Sequence, residues 1–139
     1  MNKYQLKNYI NLRKEVKQIE ERLKEYEIKK GSVKSQIITG LPSAHGSGQN
    51  LSEIAILSFV DLEQEYIQKL AKLNTEIKQI EEAITALEDS AERQLMRARY
   101  IDGKNWEDVC NLIGYSWSQT HRIHSRALKK LQKIENEIE

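Results

Sequence analysis

The side chains of this sequence best suited to chemistry with a partner are the cations near its C-terminal end. Residues 117–133 contain no carboxylate and five cations, which are Arg122, Arg126, Lys129, Lys130 and Lys133. A solvent-exposed helix normally mixes both signs of charge, so that side chains three or four positions apart can pair. Cations without such partners indicate that the partner is elsewhere and anionic, as a nucleic acid is.

The apolar pattern of the same segment indicates which of its side chains face outward. Residues at spacings of three or four should face inward, namely Thr120, Ile123, Ala127, Leu131 and Ile134. The face that could enter a major groove then carries Trp117, Ser118, Gln119, Arg122 and Arg126. Trp117 could either stack at the DNA backbone or cover the core.

Each side chain on this face has a chemical role that it could take at DNA. Arginine can form a paired hydrogen bond with guanine, and glutamine can do the same with adenine. We therefore expect bases to be read by Ser118, Gln119, Arg122 and Arg126. We expect phosphates to be neutralised by Lys104, His121, Lys129 and Lys130.

A short helix and a glycine turn precede this segment and must position it. Asn105 can cap a helix over residues 106–113, and Glu107 and Asp108 place carboxylates in its positive first turn. Its apolar face comprises Trp106, Val109, Leu112 and Ile113. Gly114 can adopt the positive φ that ends a helix, and Ser116 can cap the next one. With a further helix before the Asp102-Gly103 turn, the pattern predicts a helix-turn-helix unit.

The stretch from Arg93 to Lys133 resembles the promoter-reading region, region 4, of bacterial sigma factors. The matching features are RQLMRARYIDG at residues 93–103, WEDVCNLIGYS at 106–116 and RALKKL at 126–131. This resemblance implies a helix-turn-helix domain that binds an upstream promoter element. A helical N-terminal half joined to such a domain is similar to small phage-encoded transcriptional regulators of the ArpU/RinA type.

The resemblance to ArpU/RinA-type regulators implies sequence-specific binding of double-stranded DNA and activation of phage late genes, with RNA polymerase as a partner. Two other functions stay open. The domain could be a protein-interaction module that binds RNA polymerase or another protein without DNA contact. It could also be the small DNA-recognition subunit of a phage packaging machine, which a ring of many subunits would favour.

Charge is distributed unevenly along the chain. The 139 residues carry a formal net charge of +1. Residues 1–90 contain 13 basic and 14 acidic side chains, whereas residues 91–133 contain 9 basic and 4 acidic ones. The last six residues add Glu135, Glu137 and Glu139. We therefore expect only the C-terminal segment to bind nucleic acid strongly.

Several functional classes are disfavoured by what the sequence contains. Cys110 is the single cysteine, which is consistent with a reducing compartment, and with His121 and His124 it makes an incomplete zinc-ligand set. No arrangement of nucleophile and base has a credible supporting residue, so we expect neither an enzyme nor a bound cofactor or metal. No apolar run is long enough to span a bilayer, and the expected location is the cytoplasm of a bacterial host cell.

The N-terminal part predicts two long helices. Residues 3–30 carry a heptad seam from Tyr9 to Tyr26, with Gly31 ending the helix. Residues 51–88 carry a longer seam from Phe59 to Leu87, and residues 31–50 are rich in glycine and serine, as expected of a flexible connector.

The simplest interpretation is an all-α fold, with an antiparallel hairpin over residues 1–88 and a DNA-binding domain over 89–139. The excess seam has to be covered by the C-terminal domain or by a second copy of the protein. We favour a homodimer, although a dimer through the first helix stays open.

Overall fold

The chain is built from helices. The computed structural model describes residues 1–38 and 47–138, and the side chains of residues 1–34 and 51–134. The helices are α1 (Lys3–Lys7), α2 (Tyr9–Ile38), α3 (Ser47–Thr85), α4 (Ser90–Met96), α5 (Trp106–Ile113) and α6 (Trp117–Ile138), and a π-helical turn (Arg97–Ile101) follows α4. The predicted all-α class is confirmed. Within the described ranges no helix is both long and apolar enough to cross a membrane.

The two long helices have bounds that differ from the predicted ones. The first helical stretch begins at Lys3 as expected, but it is interrupted at Asn8 and then continues to Ile38. The prediction that Gly31 ends it is wrong, because a single glycine inside a helix is unfavourable by only about 1 kcal/mol. The second long helix, α3, begins at Ser47 instead of residue 51 and ends at Thr85. Of the expected connector, residues 31–38 and 47–50 are helical, and the rest lies outside the described residues.

One compact unit comprises Met1–Lys14 together with Asn74–Glu139. Its core contains fully or almost fully buried side chains from both parts of the chain, including Leu6, Tyr9, Leu12, Ile84, Leu95, Met96, Val109, Ala127 and Leu131. The Tyr9 hydroxyl donates a hydrogen bond to the carboxylate of Glu81. The expected domain boundary lies between residues 88 and 89. The limits of this unit instead fall within α2, after Lys14, and within α3, before Asn74. The difference arises because the first turns of the chain bury apolar side chains in this core.

The second compact unit is Glu15–Leu73. Here Tyr26 of α2 lies against Phe59 and Tyr66 of α3, with ring centroids 5.9 Å apart in both pairs. The ammonium group of Lys30 lies 2.9 Å from the carboxylate of Glu63. Aromatic side chains of both predicted seams therefore contact each other in this unit.

Gly103 in the turn before α5 leads to a stability prediction. Gly103→Ala should lower the free energy of unfolding by about 1–2 kcal/mol, because a left-handed backbone is unfavourable for residues with a Cβ and the site is crowded. Its φ is 71°, and an added Cβ would lie 2.9 Å from Cδ1 of Ile10. Urea denaturation followed by circular dichroism measures the change.

The matched control is Gly31→Ala in the interior of α2, where no atom lies within 4 Å of the added Cβ. Because alanine favours a helix over glycine, this change should raise the free energy of unfolding by about 0.5–1 kcal/mol. If both substitutions changed the free energy of unfolding in the same direction, the effect at Gly103 could not be assigned to its left-handed backbone.

Candidate nucleic-acid interface

As predicted, a side-chain cap begins each of the helices α5 and α6, and a glycine turn separates them. Oδ1 of Asn105 accepts a hydrogen bond from the backbone N–H of Asp108 at 2.8 Å. Gly114 ends α5 with a φ of 74°. Oγ of Ser116 accepts a hydrogen bond from the backbone N–H of Gln119 at 3.3 Å, at the start of α6. These local contacts set the direction in which α6 leaves the turn.

One face of α6 is buried in the core. Thr120, Ile123, Ala127 and Leu131 are at most 5% exposed, as predicted. Ile134 was expected to continue this face, but it is 37% exposed because it borders an open cavity of ≈ 240 Å³ beside Ala86 and Leu87. Leu112, expected on the apolar face of α5, is 52% exposed. The buried surface of α6 therefore ends about one turn before the predicted position.

The opposite face of α6 is exposed to solvent. It carries every residue predicted to meet the groove, Trp117, Ser118, Gln119, Arg122 and Arg126. The Arg122 side chain makes no hydrogen bond or ion pair with any residue that the structure describes. At 58% exposure, Trp117 lies outside the core. An exposed guanidinium without an internal partner is available to an external anion or base.

Two of the five cations of α6 have a partner within the protein, so the prediction that all five lack one is wrong for these two. Nζ of Lys130 lies 2.9 Å from each carboxylate oxygen of Glu92, a fully buried residue of α4. Nε of Arg126 lies 4.0 Å from the same carboxylate. The prediction considered α6 alone, whereas Glu92 lies on another helix. Asp89 caps α4 through the N–H of Ala91, whereas Glu92 faces α6.

The remaining predicted phosphate contacts have different surroundings. Lys104 and Lys129 are exposed, and their ammonium groups have no partner among the described residues. The ring of His121 is half-buried between two indoles, with centroids 4.6 Å from both Trp106 and Trp117. Its Nε2 is buried without a hydrogen-bond partner in the described part of the chain. The two lysines are thus freely accessible, whereas the histidine is part of an aromatic cluster.

His124 lies on the inner side of this aromatic cluster. It is 6% exposed, more deeply buried than the half-buried position expected, and its Nε2 lies 2.6 Å from the hydroxyl of Tyr100. Burial lowers the pKa of His124 to about 4, and the nearby positive charges of Lys3, His121 and Arg99 act in the same direction. The ring is therefore neutral at neutral pH, and it shares a hydrogen bond with the Tyr100 hydroxyl. Among the described residues, no group of three or more His, Cys, Asp or Glu side chains could hold a metal ion.

Three arginines before α5 contribute to the basic charge of this region but are engaged internally. Arg93 donates hydrogen bonds to the carbonyl oxygens of Leu87 and Glu88, at 2.6 and 2.7 Å. Arg97 donates to the hydroxyl of Thr85, and Arg99 donates to the carbonyl of Lys104 and lies over the ring of Trp106. These three arginines hold the turns around α4 and α5 together. The number of positive charges available to a ligand is therefore smaller than the net charge of residues 91–133 suggests.

The exposed face of α6 extends to polar residues that were not among the predicted contacts. Ser125 and Lys133 are exposed, and the helical period of 100° per residue places both near Arg122 and Lys129. The same period, applied to the full length of the helix, would have identified them.

Comparison of the chain with models of known protein families, with curated proteins and with solved structures found no match. The candidate interface is accordingly defined by the geometry of α4, α5 and α6.

Proposed function

We propose that the protein binds double-stranded DNA in a sequence-specific manner through α6 and regulates transcription. In this proposal α5 and α6 form a helix-turn-helix of the sigma region 4 type, with α6 as the recognition helix. The observation that carries the proposal is the exposed face of α6, where Arg122 makes no hydrogen bond or ion pair with any described residue.

The dimensions of this face suit a major groove. From Ser118 to Arg126 the helix rises by about 12 Å, at 1.5 Å per residue, which equals the length of three to four stacked base pairs. Arg122 and Arg126 would bind guanine, Gln119 would bind adenine, and Ser118 would contact either base. Trp117, at the first turn of α6, would lie beside the DNA backbone.

Cations at the edge of this face would contact the DNA backbone. Lys104 and Lys129 are exposed and would neutralise phosphates, with His121 and Lys130 nearby. Each neutralised phosphate steepens the dependence of log affinity on log salt by about 0.9. Binding should therefore weaken markedly as salt is raised.

The long helices would present the DNA-binding part rather than contact DNA themselves. We propose that α2 and α3 form an antiparallel hairpin, since Tyr26 packs on Phe59 and Tyr66. This hairpin would mediate homodimerisation or contact with RNA polymerase. The biological role would be activation of phage late genes by recruitment of RNA polymerase in the cytoplasm of a bacterial host. A dimer would bind an inverted repeat whose half-site spacing reflects its two-fold symmetry.

Arg122→Ala tests the proposed base contact. After selection of the bound sequence from random duplex DNA, the variant should bind that site roughly tenfold more weakly, about 1–2 kcal/mol, and lose base preference at one position. Fluorescence anisotropy with the selected duplex and its single-base variants measures both effects.

The matched control is Arg22→Ala, which removes an exposed arginine from α2 without changing the interface. It should leave affinity and base preference unchanged. If Arg122→Ala binds the selected site as tightly and as selectively as the unaltered protein, the proposed groove face is wrong.

A second candidate function is protein interaction without DNA contact. Three large apolar side chains near the α5–α6 turn are exposed, namely Leu112, Tyr115 and Trp117. Such side chains are enriched at the centres of protein interfaces. An apolar interface would keep its affinity at high salt, whereas phosphate binding would not.

A further inference from the structure

The carboxylate of Glu92 divides the cations of α6 into two groups. Glu92 is fully buried, and its only hydrogen-bond donor among the described residues is the ammonium group of Lys130. A buried carboxylate is strongly unfavourable unless a counter-charge and hydrogen bonds compensate for the lost hydration. Lys130 supplies both, so detaching it would leave Nε of Arg126, 4.0 Å away, as the remaining counter-charge of Glu92 among the described residues, with no hydrogen bond.

The neighbouring lysine, Lys129, has no such ion pair among the described residues. Lys129 and Lys130 are identical in type and adjacent in sequence, but they lie about 100° apart around the helix axis. Both side chains are exposed, Lys130 at 50%, but Lys129 has no partner among the described residues, whereas two contacts of 2.9 Å hold Lys130 to Glu92. The two side chains should therefore differ in their availability to a phosphate.

Arg126 has an intermediate position. Only its Nε approaches Glu92, at 4.0 Å, and its side chain is 59% exposed. The two terminal nitrogens have no partner among the described residues. Terminal nitrogens make the paired hydrogen bond with guanine, so the contact through Nε can orient the guanidinium without occupying its base-reading edge.

We propose that Glu92 is a positioning residue that holds Lys130 away from DNA phosphates and orients Arg126 toward the base edges. This inference rests on the proposed DNA binding. Glu92 thereby limits the charge that α6 offers to any DNA and favours sequence-specific over non-specific binding. The electrostatic part of affinity depends on the number of phosphates neutralised, whatever the sequence.

The test is the salt dependence of binding to the selected duplex and to a random duplex, measured by fluorescence anisotropy between 50 and 300 mM KCl. Glu92→Gln keeps the size of the side chain but removes the negative charge that holds Lys130. The slope of log affinity against log salt should become steeper by about 1, and the ratio of specific to random affinity should fall. Base preference at the position read by Arg126 should also relax.

Two variants that remove one lysine charge each form the matched comparison. Lys129→Met should make the slope shallower by about 1, because Lys129 is free to bind a phosphate. The double variant Glu92→Leu/Lys130→Leu should keep the slope of the unaltered protein, because the sequestered charge contributes nothing to it. Replacing a buried ion pair with apolar residues is often tolerated, so this variant keeps the test valid if Glu92→Gln does not fold.

The inference is overturned if the double variant loses as much slope as Lys129→Met, or if a folded Glu92→Gln leaves the slope unchanged. Circular dichroism and thermal unfolding establish folding for each variant. Failure of the proposed function gives a different result, because the unaltered protein would then bind neither duplex in a salt-dependent way.

Discussion

Leu95→Ala should lower the free energy of unfolding by about 3–4 kcal/mol, the largest effect of a single substitution that we expect in this protein. Leu95 lies on α4 and is fully buried, in the core that also contains Val109 of α5 and Leu131 of α6. Truncation removes buried apolar atoms and leaves a cavity that the three helices can fill only in part. Urea denaturation followed by circular dichroism measures the loss.

Leu112→Ala is the matched control for Leu95→Ala. It makes the same chemical change on α5, but Leu112 is 52% exposed. The free energy of unfolding should change by less than about 1 kcal/mol, because little apolar surface is returned to water. Equal destabilisation by the two substitutions would show that α4 is not the centre of this core.

His124 should make the protein less stable as the pH falls from about 6.5 to about 4. The folded protein lowers the pKa of this ring to about 4, whereas in the unfolded chain it returns to its ordinary value. Above the pKa that His124 has in the unfolded chain, its ring is neutral in both the folded and the unfolded state. The stability that depends on the neutral ring is then fully present. Between the two values the unfolded state binds the proton while the folded state does not, so the stabilisation is lost, by on the order of 2–3 kcal/mol.

His124→Gln isolates this effect from the titration of carboxylates. Glutamine can still form a hydrogen bond with the Tyr100 hydroxyl, as donor or acceptor, but it does not titrate. Subtracting the pH dependence of the variant from that of the unaltered protein, both from urea denaturation at pH 4 to 7.5, should leave the contribution of His124. Parallel pH profiles for the two proteins would be inconsistent with a buried neutral ring.

The parts of the site that depend on neighbours in sequence could be predicted. The cap at Asn105, the left-handed Gly114 and the cap at Ser116 each involve residues within four positions. Because helix periodicity is equally local, the buried face of α6 was predicted correctly as far as Leu131. The spacing of apolar residues also predicted the all-α class.

Contacts between distant residues could not be predicted in this way. Lys130 and Glu92 are 38 positions apart, and no local pattern indicates that one compensates the buried charge of the other. Likewise, the seam that begins at Tyr9 does not reveal that the first turns pack with residues 74 onward. The end of the first long helix was misplaced for a related reason. Gly31 favours a helix end locally, but the remaining helix continues through it.

The burial of Leu6 and Leu131 in one compact unit has a consequence for biosynthesis. On the ribosome, the segment around Leu6 must wait for a segment made 125 residues later, roughly 6–25 s at typical rates of elongation. Throughout that interval Leu6, Tyr9 and Leu12 lack the later half of their core. The nascent chain should therefore expose these apolar side chains until the segment around Leu131 has been made.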